Sequence, residues 1–189
     1  MRLFIAANLP EATRDAIYAD AAPLRAATHA VRWVAAPSLH VTLKFLGERD
    51  EAVVADFENA VRMVAARHQP VEVTTTELGA FPNFRHPRVV WVGMTGETAL
   101  RAIARDIDLM VAGLGVAGES REFRAHLTLG RVKGEMSSPD ATALAAAAQA
   151  RPPARGFAIR TIDLMRSELG PGGSRYSVLA AVPLHARGT

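Results

Sequence analysis

The sequence carries one short pattern twice, as HVTL at residues 40–43 and as HLTL at residues 126–129. The two copies lie almost half the chain apart. Each falls in a run of apolar and β-branched residues that predicts a strand, and a helical pattern follows each of them. We therefore expect two related lobes with one copy of the pattern in each. A four-residue pattern also recurs by chance, so the argument depends on the similar surroundings.

Strands and helices are predicted along the whole chain. Helical patterns cover residues 10–22, 51–67, 97–112 and 141–150, the last of them after Ser138 as N-cap. Alternating or β-branched runs predict strands over residues 2–7, 31–35, 40–46, 71–78, 88–94, 123–132, 157–166 and 175–183. This mixture leaves both an α/β and an α+β fold open.

The composition excludes several classes of protein. The chain of 189 residues contains no cysteine, which excludes a disulfide scaffold, a cysteine-ligated metal site and a thiol nucleophile. A chain of this length buries roughly 70% of the surface that its unfolded form exposes, so a single domain over residues 1–189 is expected. No apolar run reaches about 18 residues, and the apolar part of the N-terminus is too short for a signal peptide. We therefore expect a cytoplasmic protein.

The basic residues are almost all arginines. Only Lys44 and Lys133 are lysines among the 22 basic side chains, and the formal net charge is +3. Arginine suits bidentate contact with phosphate and stacking on bases, which slightly favours a phosphate-bearing partner over a plain solvated surface.

The repeated pattern has a chemical meaning on a strand. Alternate side chains share a face, so His40 and Thr42 point one way while Val41, Leu43 and Phe45 point the other. The second copy has the same parity. If both strands face the same groove, one imidazole can take a proton from water and the other can give a proton to a leaving oxygen. The two threonine hydroxyls can donate hydrogen bonds to phosphate oxygens. This set predicts phosphodiester cleavage without a metal or a cofactor.

Other interpretations of the histidines and glycines stay open at this point. A strand histidine is often structural, and a metal site lacks its usual signatures because the sequence has no HxH or HExxH. The remaining histidines lie in turn-like or terminal surroundings and are expected at the surface; they are His29, His68, His86 and His185. The GxGxxG match at residues 113–118 follows a predicted helix, the reverse of a dinucleotide site, so we expect a helix end there.

Several segments, in order, carry a family resemblance. They are RLFIA at 2–6, RWV at 32–34, LHVTLKFLG at 39–47, FPN at 81–83, RVVW at 88–91, HLTLGRV at 126–132, and SEL at 167–169 with Gly173 and Tyr176. Together they resemble the RNA 2′,3′-cyclic phosphodiesterases, first described as 2′-5′ RNA ligases, of the two-histidine phosphoesterase superfamily. The resemblance extends from residue 2 to about residue 184.

The resemblance implies an α+β, bilobal fold in which each lobe is a mostly antiparallel sheet with helices outside and the active site lies in the central cleft. It implies metal-independent hydrolysis of 2′,3′-cyclic phosphates on RNA ends or nucleotides to 2′-phosphates, with reversible 2′-5′ RNA ligation as a related activity. His40 then corresponds to the proton donor and His126 to the acceptor, while Thr42, Thr128 and Arg131 contact the phosphate. No cofactor, metal, membrane or protein partner is implied, and a monomer is expected. The alternative is a protein that binds RNA ends or nucleotides without turnover.

Two basic residues close to the motifs have open positions. Strict alternation puts Arg131 on the face opposite to His126, unless a bulge at Gly130 turns the guanidinium toward the cleft. A surface or inter-lobe ion pair is the alternative for Arg131. Lys44 either shares the face of His40 or is an exposed residue at the strand end.

The C-terminal part and the aromatic residues give further expectations. Residues 169–176 predict a flexible loop at the cleft, where Tyr176 or Ser167 either contacts substrate or packs against the protein. Ala125 stands where the family usually has proline, with little expected effect on the chemistry. The candidates for stacking on a base are Phe81, Phe84, Trp33 and Phe123, with core packing favoured for Trp33 and Phe123.

Overall fold

A computed structural model describes residues 1–150, 152–170 and 173–185. The strands are β1 (Arg2–Asn8), β2 (Val31–Trp33), β3 (His40–Glu48), β4 (Val71–Phe81), β5 (Val89–Met94), β6 (His126–Val132), β7 (Gly156–Ile159), β8 (Thr161–Gly170) and β9 (Gly173–Pro183). The helices are α1 (Glu11–Asp20), α2 (Ala22–Ala27), α3 (Val54–Ala65), α4 (Glu97–Ala112) and α5 (Ser138–Gln149), with short 3₁₀ turns at Ala36–Ser38 and Glu51–Val53.

The strands form two sheets, and each sheet contains one copy of the repeated motif. The His40 sheet has the strand order β3-β1-β8-β9, and the His126 sheet has the order β2-β6-β5-β4-β7. All the pairings between neighbouring strands are antiparallel. The fold is therefore α+β with two antiparallel sheets, as the family resemblance implied. The sheets are not the two halves of the chain, because β1, β8 and β9 lie in the same sheet.

The helices cover the sheet faces opposite to those that carry His40 and His126, and we call the two histidine-bearing faces the cleft faces. Helices α3 and α4 contact each other, and they pack on the His40 sheet through β8, β9 and β3. Phe57 of α3 and Ile103 of α4 are buried in that layer. Helix α5 contacts β4 of the other sheet, and Ile17 of α1 lines a small cavity together with Leu129 of that sheet. An apolar stripe at helical spacing needs such a sheet to cover it, which explains this layering.

A large core fills the space between helices and sheets and includes residues of both lobes. Val41 and Leu127, the residues after the two motif histidines, are fully buried in it. A second, small apolar cluster of Phe4, Ala6 and Met165 lies apart from this core. The His40 sheet is therefore packed on both faces, with the small cluster on the face that also carries His40.

The chain differs from the sequence-based expectation at several places. The strand predicted over residues 157–166 is two strands, because β7 joins the His126 sheet and β8 joins the His40 sheet. The loop predicted over residues 169–176 is wrong for most of its length, since Leu169 pairs with Ser174 in a β8–β9 hairpin. Residues 171–172 lie outside the described part of the chain.

The predictions for helix ends are partly confirmed. Helix α4 ends at Ala112 and Gly115 has a φ of 76°, so the GxGxxG match at residues 113–118 is the end of a helix followed by a turn. The N-cap of α5 is Ser137 rather than Ser138, because the Ser137 hydroxyl oxygen accepts a hydrogen bond from the backbone N–H of Asp140.

Among the helices that the structure describes, none combines the length and apolar character needed to cross a bilayer.

Candidate active site

A bulge in β6 decides where Arg131 lies. The register of β6 against β5 shifts by one residue, and the additional residue is Leu129. Alternate residues of β5 share one face. The partners of three such residues, Val89, Trp91 and Gly93, are Arg131, Thr128 and His126. Arg131 therefore lies on the same face as His126, where strict alternation would not have put it.

Gly130 accompanies this bulge for a steric reason. It pairs with Trp33 of β2, and a Cβ atom at residue 130 would lie 2.5 Å from Val31 Cγ1 and 2.9 Å from Trp33 Cε3. A side chain there would push β2 away from β6. The small residue therefore lets the edge strand close onto the bulged strand.

The same bulge occurs in β3. The register against β1 skips Leu43, and the alternating residues Phe4, Ala6 and Asn8 pair with Phe45, Thr42 and His40. Phe45 therefore lies on the His40 face, whereas strict alternation had put it with Val41. Its side chain is 59% exposed, which fits a surface position on the cleft face and not a core position.

The bulge also changes the position of Lys44. Its side chain points into the core and is buried, so both positions considered from the sequence are wrong. The Lys44 ammonium donates hydrogen bonds to an Asp108 carboxylate oxygen on α4 and to the carbonyl oxygen of Ala117. Burial opposes ionisation of Asp108, but hydrogen bonds from Lys44 and from the Glu119 N–H hold the pKa of that carboxyl below its usual value. The ion pair ties β3 to α4.

The two motif histidines make the same hydrogen bond. His40 Nδ1 lies 2.8 Å from the carbonyl oxygen of Ser38, and His126 Nδ1 lies 2.7 Å from that of Arg124. A carbonyl oxygen only accepts, so each Nδ1 carries the proton. In the neutral rings the lone pair is then on Nε2, which is the nitrogen available for proton transfer.

Aromatic side chains hold both rings. The His40 ring lies 5.0 Å from Phe4 and 5.1 Å from Tyr176, measured between ring centroids, with Tyr176 at an edge-on angle. The His126 ring lies 5.2 Å from Phe81, also edge-on. These contacts fix the ring orientations and remove water from one side of each imidazole.

The positive charge of Arg131 acts on both imidazoles. Burial lowers the pKa of His40 and of His126, the backbone hydrogen bonds oppose this, and the charge of Arg131 lowers both pKa values further. Strands β3 and β6 also contact each other. The charge of Arg131 therefore acts on both imidazoles, although the two rings come from different sheets. Thr42 and Thr128 are half-buried on the same faces.

This chain is similar to known proteins of one superfamily. Residues 13–171 match the model of the 2′-5′ RNA ligase superfamily. The chain belongs to this superfamily. A protein of Methanothermobacter thermautotrophicus named RNA 2′,3′-cyclic phosphodiesterase is 33% identical to it over 177 residues, which cover 94% of this chain and 95% of that protein. One of Thermus thermophilus with the same name is 31% identical over 186 residues, which cover 95% of this chain and 88% of that protein.

Solved structures of the superfamily have the same fold. The crystal structure of TT0787 of Thermus thermophilus superposes with a TM-score of 0.80 at 29% identity and with full coverage of both chains. That of Escherichia coli LigT complexed with 3′-AMP gives a TM-score of 0.73 at 28% identity, with 98% of each chain covered.

Sequence reasoning missed two residues on the cleft face of this superfamily member. Asn8 lies directly opposite His40 in the β1–β3 ladder, and its Nδ2 donates to Asp163 Oδ2 at 2.6 Å. Asp163 is 2% exposed, and burial raises the pKa of its carboxyl. The alternation of Phe4, Ala6 and Asn8 along β1 was the available signal for Asn8. Asp163 had no signal, because it comes from the opposite end of the chain.

The predicted stacking residues have different surroundings. Phe81 lies against both His126 and Trp91. Trp33, Phe84 and Phe123 pack as partly buried residues against the large core. Trp91 lies against Gly79, where a Cβ atom would be 2.1 Å from the indole.

The remaining histidines are outside the site. His29, His86 and His185 are exposed as expected. His68 differs, because its Nε2 lies 2.8 Å from Asp106 and its side chain is partly buried. No group of three or more potential metal-ligating side chains is found among the described residues.

Proposed function

We propose that this protein hydrolyses 2′,3′-cyclic phosphates of RNA ends or nucleotides to 2′-phosphates, and that it does so without a metal. The observation that carries the proposal is the pair of imidazoles, each with its Nδ1 bound to a backbone carbonyl oxygen and its Nε2 left to transfer protons, next to the charge of Arg131. The names of the relatives add the substrate class, because several of them are called RNA 2′,3′-cyclic phosphodiesterase.

The reaction needs one base and one acid on opposite sides of the phosphorus. His126 Nε2 takes a proton from water as the water oxygen bonds to phosphorus. His40, protonated at Nε2, gives its proton to the 3′ oxygen as the bond between phosphorus and that oxygen breaks. The product carries a phosphate on the 2′ oxygen and a free 3′ hydroxyl. The assignment of acid and base follows the family motif, and each step contributes a factor of roughly 10² to 10⁴ in rate.

Three further side chains would bind the phosphate. The hydroxyls of Thr42 and Thr128 donate to the non-bridging oxygens, and the Arg131 guanidinium compensates the charge that grows on them in the transition state. The pKa values of His40 and His126 are both lowered, and a lowered pKa suits the base, His126, because a base must be unprotonated to accept a proton. The acid needs its proton, and an anionic phosphate next to His40 raises the pKa of that ring when substrate binds.

The test is turnover of adenosine 2′,3′-cyclic phosphate in EDTA, with the product identified by ³¹P NMR. We expect adenosine 2′-phosphate. The His40→Ala and His126→Ala variants should each lose a factor of about 10² to 10⁴ in kcat, while His185→Ala, which changes an exposed histidine outside the site, should keep the wild-type rate. Loss of all wild-type activity in EDTA would overturn the metal-independent mechanism.

The alternative hypothesis, a protein that binds nucleotides without turnover, predicts a different result. It would bind the cyclic nucleotide in wild type and show no conversion at any enzyme concentration. Ligation is the same opening of the cyclic phosphate with an RNA 5′ hydroxyl in place of water as the nucleophile, and it should be lost in the same two histidine variants.

A further inference from the structure

Arg32 lies beside Arg131 on the cleft face of the His126 sheet. Strand β2 is the edge strand of this sheet, and Arg32 is the direct partner of Arg131 in the β2–β6 ladder. Directly paired residues of neighbouring strands share a face and lie about 5 Å apart at their Cα atoms. Arg32 therefore shares a face with His126 and extends the positive charge outward by one strand.

This arrangement of two arginines is unfavourable in the free protein. Like charges directly opposite each other on neighbouring strands destabilise the pairing. Both arginines are exposed, and among the residues that the structure describes neither has a carboxylate within salt-bridge distance. A bound anion next to both guanidinium groups would remove this repulsion. The pair therefore indicates a binding surface for more than one phosphate.

We propose that Arg32 binds a phosphate on the 5′ oxygen of the nucleotide whose cyclic phosphate is opened. The inference rests on the proposed function, in which Arg131 contacts the cyclic phosphate between the histidines. A phosphate on the 5′ oxygen is separated from the cyclic phosphate by a single ribose, so the next guanidinium along the cleft face is the group that meets it. In an RNA chain this phosphate is the last internucleotide linkage. Arg32 thus selects nucleotides with a 5′-phosphate, and above all the 3′ ends of RNA.

The experiment compares three substrates that differ only at the 5′ oxygen. They are adenosine 2′,3′-cyclic phosphate, the same compound with a 5′-phosphate, and the dinucleotide ApA with a terminal 2′,3′-cyclic phosphate. We expect higher kcat/KM for the second and third substrates. The Arg32→Ala variant should reduce kcat/KM for these two by about five- to tenfold more than for the first. Arg32→Lys should lose less, because it keeps the charge but not the bidentate geometry.

A charge-matched control separates this contact from a general electrostatic effect. Arg105 is exposed on α4 and outside the cleft, so Arg105→Ala removes the same charge and should not change the substrate preference. With the dinucleotide, the slope of log kcat/KM against log salt concentration should fall in magnitude by about 0.7 in Arg32→Ala, the value for one phosphate contact on a single strand.

The outcomes distinguish the two proposals. If wild type converts none of the three substrates, the proposed function itself fails. A gain with both 5′-substituted substrates that Arg32→Ala removes supports recognition of an RNA chain, and a gain limited to the 5′-phosphorylated nucleotide assigns the contact to a mononucleotide. Equal kcat/KM for all three substrates, or a gain that Arg32→Ala retains, overturns the inference and leaves Arg32 as a charged residue that protects an edge strand.

Discussion

Replacing Gly130 by alanine tests the bulge that brings Arg131 to the site. The new Cβ would lie 2.5 Å from Val31 Cγ1, 2.9 Å from Trp33 Cε3 and 3.2 Å from the carbonyl oxygen of Arg32. Val31 is buried and β-branched, so its side chain has little freedom to move away. The third atom is backbone, and all three atoms belong to β2, so rotation of one side chain cannot relieve the contacts. The strain must therefore be relieved by a shift of β2 or of the bulge itself.

The expected cost follows from overpacking. Inserting one methyl group into a well-packed position costs about 1–3 kcal/mol. For a chain of this size, Tm falls by about 2–4 °C per kcal/mol, so Gly130→Ala should melt roughly 2–12 °C below wild type. Activity should fall more steeply than stability, because a displacement of about 1 Å in a positioning group can cost about 10² in rate.

The control is an alanine at a glycine with room for it. Gly113 follows α4 in right-handed helical conformation, and a Cβ there meets nothing closer than 3.7 Å. Gly113→Ala should raise stability by about 0.4–1 kcal/mol and leave activity unchanged. Thermal unfolding by circular dichroism and kcat/KM on a cyclic nucleotide measure both effects. A Gly130→Ala variant with wild-type Tm and wild-type kcat/KM would refute the steric account of the bulge.

Three further measurements follow from the buried and charged groups. Burial and the charge of Arg131 lower the pKa of both His40 and His126, so the bell-shaped pH profile of kcat/KM should centre below about pH 6.5. The Arg131→Gln variant should move both limbs of this profile to higher pH. A profile that does not move contradicts a shared site. The raised pKa of Asp163 makes its contribution to stability largest below about pH 4 and smaller as pH rises through the folded-state pKa. Asp163→Asn should therefore gain Tm relative to wild type as the pH rises above about 4, and a constant difference refutes this. Lys44→Met leaves a carboxylate without its ammonium partner, so urea unfolding should show a loss of about 1–3 kcal/mol.

Much of the fold was readable from the sequence because the hydrophobic patterns are regular. The apolar spacing of α3 and α4 and the alternating runs of most strands predicted elements that the structure contains. What the sequence could not show is which sheet each strand joins. Residues 157–166 read as one strand, and only the pairing partners reveal a change of sheet at Arg160. Such pairings are non-local, and local pattern carries no information on them.

The candidate site, like the fold, could be predicted from the sequence only in part. His40, His126 and the two threonines were found because parity holds over the first three residues of each motif, and the structure places all four on cleft faces. Parity fails at the fourth residue, where each strand carries its bulge. That single backbone feature explains why Lys44 was expected outside the core and why Phe45 was expected inside it.

The two bulges show that the duplication extends beyond the side chains to the backbone. Each lobe has a histidine and a threonine on the cleft face, then the additional leucine of the bulge, and then one more residue on the cleft face. That last residue is Phe45 in one lobe and Arg131 in the other. The histidines and threonines are therefore matched, while an aromatic ring and a guanidinium distinguish the two sides. In our proposal a symmetric pair of imidazoles supplies the acid and the base, and the asymmetric neighbours determine which way round the substrate lies. Arg32 adds its charge only on the Arg131 side, so the phosphate-bearing part of a nucleotide should lie along the His126 sheet.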